Sequence, residues 1–153
     1  MPRAKTKLML ADSFKAMLPE RQRLNEHRDC TVIAISIATH LPYEQVRAML
    51  AECGRKSRRG AYNEQILRAV RELGFKAEEV SREYFFKKYP THHSAALRNL
   101  TSHHPERFPE AWKDGHTYLC SSGSHMWCVI DGCNCDWSIG RALRIRRLWR
   151  ISK

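Results

Sequence analysis

The sequence predicts an α+β fold, in which helices from the first half pack on an antiparallel sheet from the second. Three observations carry this. The first half holds apolar residues at helical spacing between start and stop residues, and at its centre Cys30–Thr39 (CTVIAISIAT) is apolar nearly all round, as in a buried helix. The second half holds short strand-like runs, the strongest at 125–130 (HMWCVI), which leads into Asp131-Gly132. That pair suits a two-residue hairpin turn, whose central positions need positive φ. Finally, no internal repeat and no Pro/Gly/Ser-rich linker divides the 153 residues, so one domain is expected, with its core at about 29–151.

The elements follow in order. Residues 5–17 read as a short amphipathic helix ending near Pro19. Asp29 stands where an N-cap belongs, just before the apolar helix. Pro42 suits the first turn of a further helix running to about Cys53, and Gly54 suits its stop. The loop 54–60 carries Arg55, Lys56, Arg58 and Arg59. Residues 61–73 form another helix, with Ile66, Val70 and Leu73 on one face and Gly74 at its end. Residues 75–80 read as a strand, and Thr91 or Ser94 caps a helix through Leu100. Strands are expected at Thr117–Ser121, 125–130 and 133–137. Leu143, Ile145, Trp149 and Ile151 are separated by even numbers and predict a last strand, with Arg147 interrupting the pattern.

Composition narrows the function. An apolar content of 42% excludes a disordered chain. No apolar run approaches the ~20 residues of a membrane span. The apolar stretch 8–11 is shorter than a signal-peptide core of ~7–15 residues. The expectation is a cytoplasmic protein with no membrane partner. With 27 Lys and Arg against 16 Asp and Glu, the net charge of +11 points to an anionic partner: nucleic acid, an acidic protein surface or another polyanion.

Six cysteines stand at 30, 53, 120, 128, 133 and 135. In a reducing compartment they read as free thiols, mostly buried. Structural zinc sites use Cys pairs with two to four residues between them, and the only tight pair here is Cys133-x-Cys135, within a strand. No metal and no cofactor is expected. The competing zinc module would rest on Cys120, Cys128, Cys133 and Cys135. His92-His93 and His103-His104 are adjacent pairs whose side chains diverge, so they read as surface histidines.

Cys30 opens a helix, and by itself it reads either as a small buried residue of that apolar helix or as an activated thiol. Free N–H groups and the helix dipole favour an anion there, and the thiolate is the nucleophilic form of cysteine. A two-residue turn at Asp131-Gly132 pairs Ile130 with Cys133 and hence Trp127 with Asp136. His125, Trp127, Val129 and Asp136 then share one face of the hairpin. Asp136 is a diagonal neighbour of His125, where a carboxylate fixes the imidazole tautomer. Trp127 either shields that pair from water or is ordinary core packing, and Asp131 is explained by turn chemistry. The same register puts Cys128 and Cys135 on the opposite face as packing thiols.

Cys at a helix start, His at a strand start and Asp on the next strand, in that order, resemble the papain-like cysteine peptidase superfamily. The bacteriocin-processing branch is the most similar, through Asp29-Cys30, the apolar helix after it, the His125 strand with its Asp-Gly turn, and Asp136. The resemblance spans about 29–137. It implies a papain-like domain and a thiol hydrolase acting on a protein or peptide, with Cys30 as nucleophile, His125 as general base and Asp136 as the orienting acid. That branch has Gly after its nucleophile, where this chain has Thr31. Six residues before the nucleophile it has an oxyanion-hole Gln, where this chain has Leu24. Gln22 and Asn25 are the nearest amide candidates. Small proteins of this pattern occur in phage and bacterial genomes, which implies a location in the host cytoplasm or a virion.

The second function considered is a non-enzymatic papain-like module that binds nucleic acid or a protein partner, as a phage accessory or virion component would. Its candidates are Arg55, Lys56, Arg58 and Arg59 in the loop, and Arg144, Arg146 and Arg150 in a tail with Trp149 among them. The alternative for the tail is an Arg-rich solvent face on an edge strand.

Overall fold

The computed structural model describes residues 15–80, 115–131, 133–135 and 146–153. Among these, the helices are α1 (Leu18–Arg23), α2 (Cys30–Thr39), α3 (Tyr43–Glu52) and α4 (Asn63–Glu72), and the strands are β1 (Lys76–Val80), β2 (Thr117–Ser121), β3 (Met126–Ile130), β4 (Cys133–Asn134) and β5 (Arg147–Ser152). The expected α+β division holds. The expected helices at 5–17 and before Leu100 lie outside the described residues, apart from residues 15–17. Lys15 and Ala16 are helical and Met17 is a turn, so a helix does stop just before Pro19, and Pro19 also stands in the first turn of α1. Its missing N–H falls among the first-turn donors that have no intrahelical acceptor.

A helix with no polar face has no side to give to water, and α2 is buried from Thr31 through Thr39. Its polar side chains turn to backbone carbonyls: the Thr39 hydroxyl donates to Ile35 O at 2.7 Å and the Ser36 hydroxyl to Leu41 O at 2.5 Å. Val32, Ile33 and Ile35 are at most 1% exposed, each contributing roughly 1.5–3 kcal/mol by burial. They meet Val46 and Leu50 of α3, Ile66, Ala69 and Val70 of α4, and one face of the sheet.

The sheet is antiparallel, in the order β1-β5-β2-β3-β4. Leu119 pairs with Cys128 on one side and Trp149 on the other, so these three share the face that packs on the helices, with Met126 and Ile151. Tyr118, Cys120, Trp127, Val129 and Leu148 point the other way and are also buried, apart from the helix-packed cluster. The last strand carries its apolar side chains at Leu148, Trp149 and Ile151, with Arg147 exposed at its start. Among the described residues no helix is long and apolar enough to cross a membrane.

Candidate functional site

The site begins with two helix ends. α1 stops in a Schellman arrangement: Asn25 N–H donates to Gln22 O, Glu26 N–H donates to Arg21 O, and Asn25 adopts φ 51°. α3 stops the same way, with Gly54 at φ 112° and Arg55 N–H donating to Leu50 O. The residue after each left-handed position turns inward, where an apolar side chain is usual. Here the two inward residues are Glu26 and Arg55, and they pair. Arg55 Nη1 and Nη2 each donate to a Glu26 carboxylate oxygen at 3.0 Å, Arg47 Nε donates at 2.7 Å, and the Arg58 N–H donates at 2.8 Å. Burial would raise the Glu26 carboxyl, but these donors outweigh it and hold the carboxyl down at about 2. The network locks loop 54–60 to the segment that leads into Cys30.

Asp29 is the second anchor. The expectation that it caps α2 is not met, because its side chain makes no cap hydrogen bond. It is only 2% exposed, and a buried carboxylate is better satisfied by strong donors than by one helix N–H. Arg21 grips it with two hydrogen bonds, at 2.7 and 2.9 Å, and the Tyr43 hydroxyl donates at 2.6 Å. Burial and this carboxylate push the Tyr43 phenol far above its ordinary value. α1 and α3 are thus both tied to the residue before Cys30. The first N–H groups of α2 have no intrahelical acceptor and no side-chain cap.

Cys30, half-buried, opens onto a cleft of about 500 Å³ lined by Arg21, Arg28, Asp29, Gly60, Ser124 and His125. The sequence-predicted nucleophile and base therefore line the same cleft. His125 stands just before β3, in a turn held by Ser122, whose N–H donates to His125 O at 2.9 Å and whose hydroxyl accepts from His125 N–H at 3.2 Å. Its ring stacks on Trp127 with 5.8 Å between centroids and 14° between planes. This is the shared face expected from alternation. Ile130 pairs with Cys133, and the register continues as Cys135 N–H donates to Cys128 O at 3.0 Å. Asp131 takes φ 48° and accepts from Gly115 N–H at 2.8 Å, as a turn residue. Asp136 lies outside the described residues.

Neither amide candidate reaches the cleft. Gln22 is exposed on α1, and Asn25 is exposed as the left-handed residue ending that helix. The basic candidates divide. Lys56, Arg58, Arg59 and Arg146 are exposed. Arg55 is a correction: its guanidinium side chain is 2% exposed and its donors are committed to Glu26 and Arg59 O, so it offers nothing to an external anion. Arg150 is half-buried, over the Tyr118 ring and bonded to its hydroxyl. Arg144 lies outside the described residues.

Cys30, Cys53, Cys120, Cys128 and Cys135 are free thiols. Burial pushes the Cys120 thiol far above its ordinary value, and the Cys53 thiol also upward. Cys120 pairs with Trp127 and Cys128 with Leu119, so the two cysteines face opposite sides of the sheet and do not converge. Among the described residues no group of three ligating side chains is placed to hold a metal ion.

Sequence reasoning missed Arg28, Ser124 and the Glu26–Arg55 pair. For the pair a signal existed: both acid and base directly follow a helix-stop residue. For Arg28, whose φ is 53°, local sequence gave none. Comparison with protein-family models, curated proteins and solved structures finds no match.

Proposed function

We propose that the chain is a papain-like cysteine hydrolase that cuts an amide, peptide or isopeptide bond. The observation that carries this is that Cys30, at the uncapped end of α2, and His125, at the close of the turn just before β3, line one cleft. His125 takes the thiol proton and Cys30 Sγ attacks the carbonyl carbon. The C–N bond breaks, and the His125 imidazolium gives its proton to the leaving nitrogen. Water then attacks the thioester with His125 as base, releasing the carboxylic acid and restoring the thiol. Asp136 orients His125, a role assigned from the hairpin register and the resemblance. The opening N–H groups of α2 are the oxyanion donors this geometry offers in place of Gln22 and Asn25.

The test compares wild type with Cys30→Ala using an electrophilic thiol probe and mapping of the labelled peptide. Labelling centred on Cys30 supports the reading. Equal, negligible labelling of that peptide in the folded wild type refutes it.

A second reading, a non-enzymatic module for nucleic acid or a protein partner, is favoured by one observation: Lys56, Arg58, Arg59 and Arg146 are exposed. It predicts binding to DNA or RNA that weakens steeply with salt. No mobility shift at low salt removes its nucleic-acid form.

A further inference from the structure

The charge of the cleft bears on its substrate. Two of its lining groups cancel, because the Asp29 carboxylate is taken up by Arg21 and the Tyr43 hydroxyl. Arg28 is left. It is exposed, lines the cleft two residues before Cys30, and makes no ion pair among the described residues. Its backbone is held at φ 53°, a left-handed conformation that is strained for a non-glycine residue. On the other side, the turn that carries Ser124 and His125 has Arg146 against it: a Cβ built on Gly123 would lie 3.4 Å from Arg146 Cδ and 3.8 Å from its Nε. Arg146 is also exposed, and its N–H donates to Ser121 O at 2.8 Å. Gly60, a third side of the cleft, ends the loop with exposed Lys56, Arg58 and Arg59.

We infer that the cleft selects an acidic peptide segment, with Asp or Glu side chains flanking the bond presented to Cys30. The inference rests on the hydrolase reading and adds a substrate class to it. Arg28 recognises the acidic side chain nearest the sulfur, and Arg146 and the 56–59 loop extend the same field outward. Arg28 belongs to the segment that leads into Cys30, and Arg146 lies against the turn that carries His125, so each of the two segments that bring the site residues to the cleft carries an exposed cation. Lys or Arg at the same substrate positions is repelled.

The experiment uses full-length protein and two small alkylating agents, iodoacetate and iodoacetamide. They form the same kind of S–C bond with loss of iodide and differ in charge. Alkylation at Cys30 is followed by mass spectrometry, with a free small-molecule thiol as reference. Relative to that reference, wild type is expected to favour the anionic reagent by about threefold or more at low salt. The preference should vanish near ~0.5 M salt. Arg28→Gln should lower it, and Arg28→Lys should keep most of it. Peptide pairs differing only in Asp against Lys beside the cut should show the same order of cleavage. Equal relative rates for the two reagents in wild type, at both salt levels, overturn the charge selection while leaving Cys30 reactive. No alkylation of Cys30 by either reagent overturns the hydrolase reading itself. If Arg28→Gln does not fold, Arg28→Met takes its place, and an unchanged preference for the anionic reagent in the folded neutral variant overturns the assignment to Arg28.

Discussion

Replacing Glu26 by Gln keeps shape and removes charge, and its consequence can be worked from the structure. The carboxylate accepts four hydrogen bonds, three of them from the guanidinium groups of Arg55 and Arg47. The amide that replaces one oxygen presents donors to donors, and it leaves Arg55 buried with no counter-charge. Breaking a buried pair from one side costs about 3–5 kcal/mol. The carboxyl value, set by the same donors, leads to a figure of the same order. Its displacement from 4.5 to about 2 corresponds to about 3 kcal/mol, at ~1.4 kcal/mol per tenfold change in proton affinity. Because the folded-state value lies below the unfolded one, this stabilisation is fully present above about pH 4.5 and is lost as pH falls towards 2. Urea unfolding of Glu26→Gln at neutral pH should therefore show a loss of about 3–5 kcal/mol, and its stability should vary less than that of wild type across the acid window. The double variant Glu26→Leu/Arg55→Met should recover most of the loss, since no unpaired charge remains. A loss below about 1 kcal/mol for Glu26→Gln would refute the argument that the pair is buried and charged.

Gly54→Ala should destabilise by more than about 1 kcal/mol in the same assay, because Gly54 has φ 112° and the added Cβ would lie 2.6 Å from Gln65 Nε2. Tyr43→Phe should cost about 1.5–3 kcal/mol by removing a hydrogen bond to the buried Asp29 carboxylate, measured by thermal or urea unfolding. Cys120, fully buried with its thiol pushed far upward, should resist alkylation in the folded protein and react only on unfolding, as mass spectrometry under native and denaturing conditions would show.

Much of the fold was legible because its signals are local. The apolar circumference of Cys30–Thr39 left burial as its only solution, and Gly54 and Gly74 both mark helix ends with positive φ. Asp131-Gly132 set the pairing of Ile130 with Cys133, and strand alternation gave the shared face of His125 and Trp127. The meeting of Cys30 with His125 was legible only through chain order and resemblance, since helix and turn are brought together by packing. What escaped was the destination of charged side chains. Arg55 reads as part of a basic surface loop, and only the partner delivered by another helix end makes it an interior residue. Asp29 reads as a cap for the same reason: its competing donors, Arg21 and Tyr43, are distant in sequence from the position that decides between them.

The stack of His125 on Trp127 has an optical consequence. The indole is fully buried, and its Nε1 has no hydrogen-bond partner among the described residues. Its emission is therefore expected to respond to the ring lying against it. A charged imidazole in contact with an indole face is a quencher as well as a cation–π partner. Trp127 is one of four tryptophans, so the difference in fluorescence between wild type and Trp127→Phe isolates its signal. The protein thus carries its own titration indicator for the ring proposed to move the proton, readable without substrate.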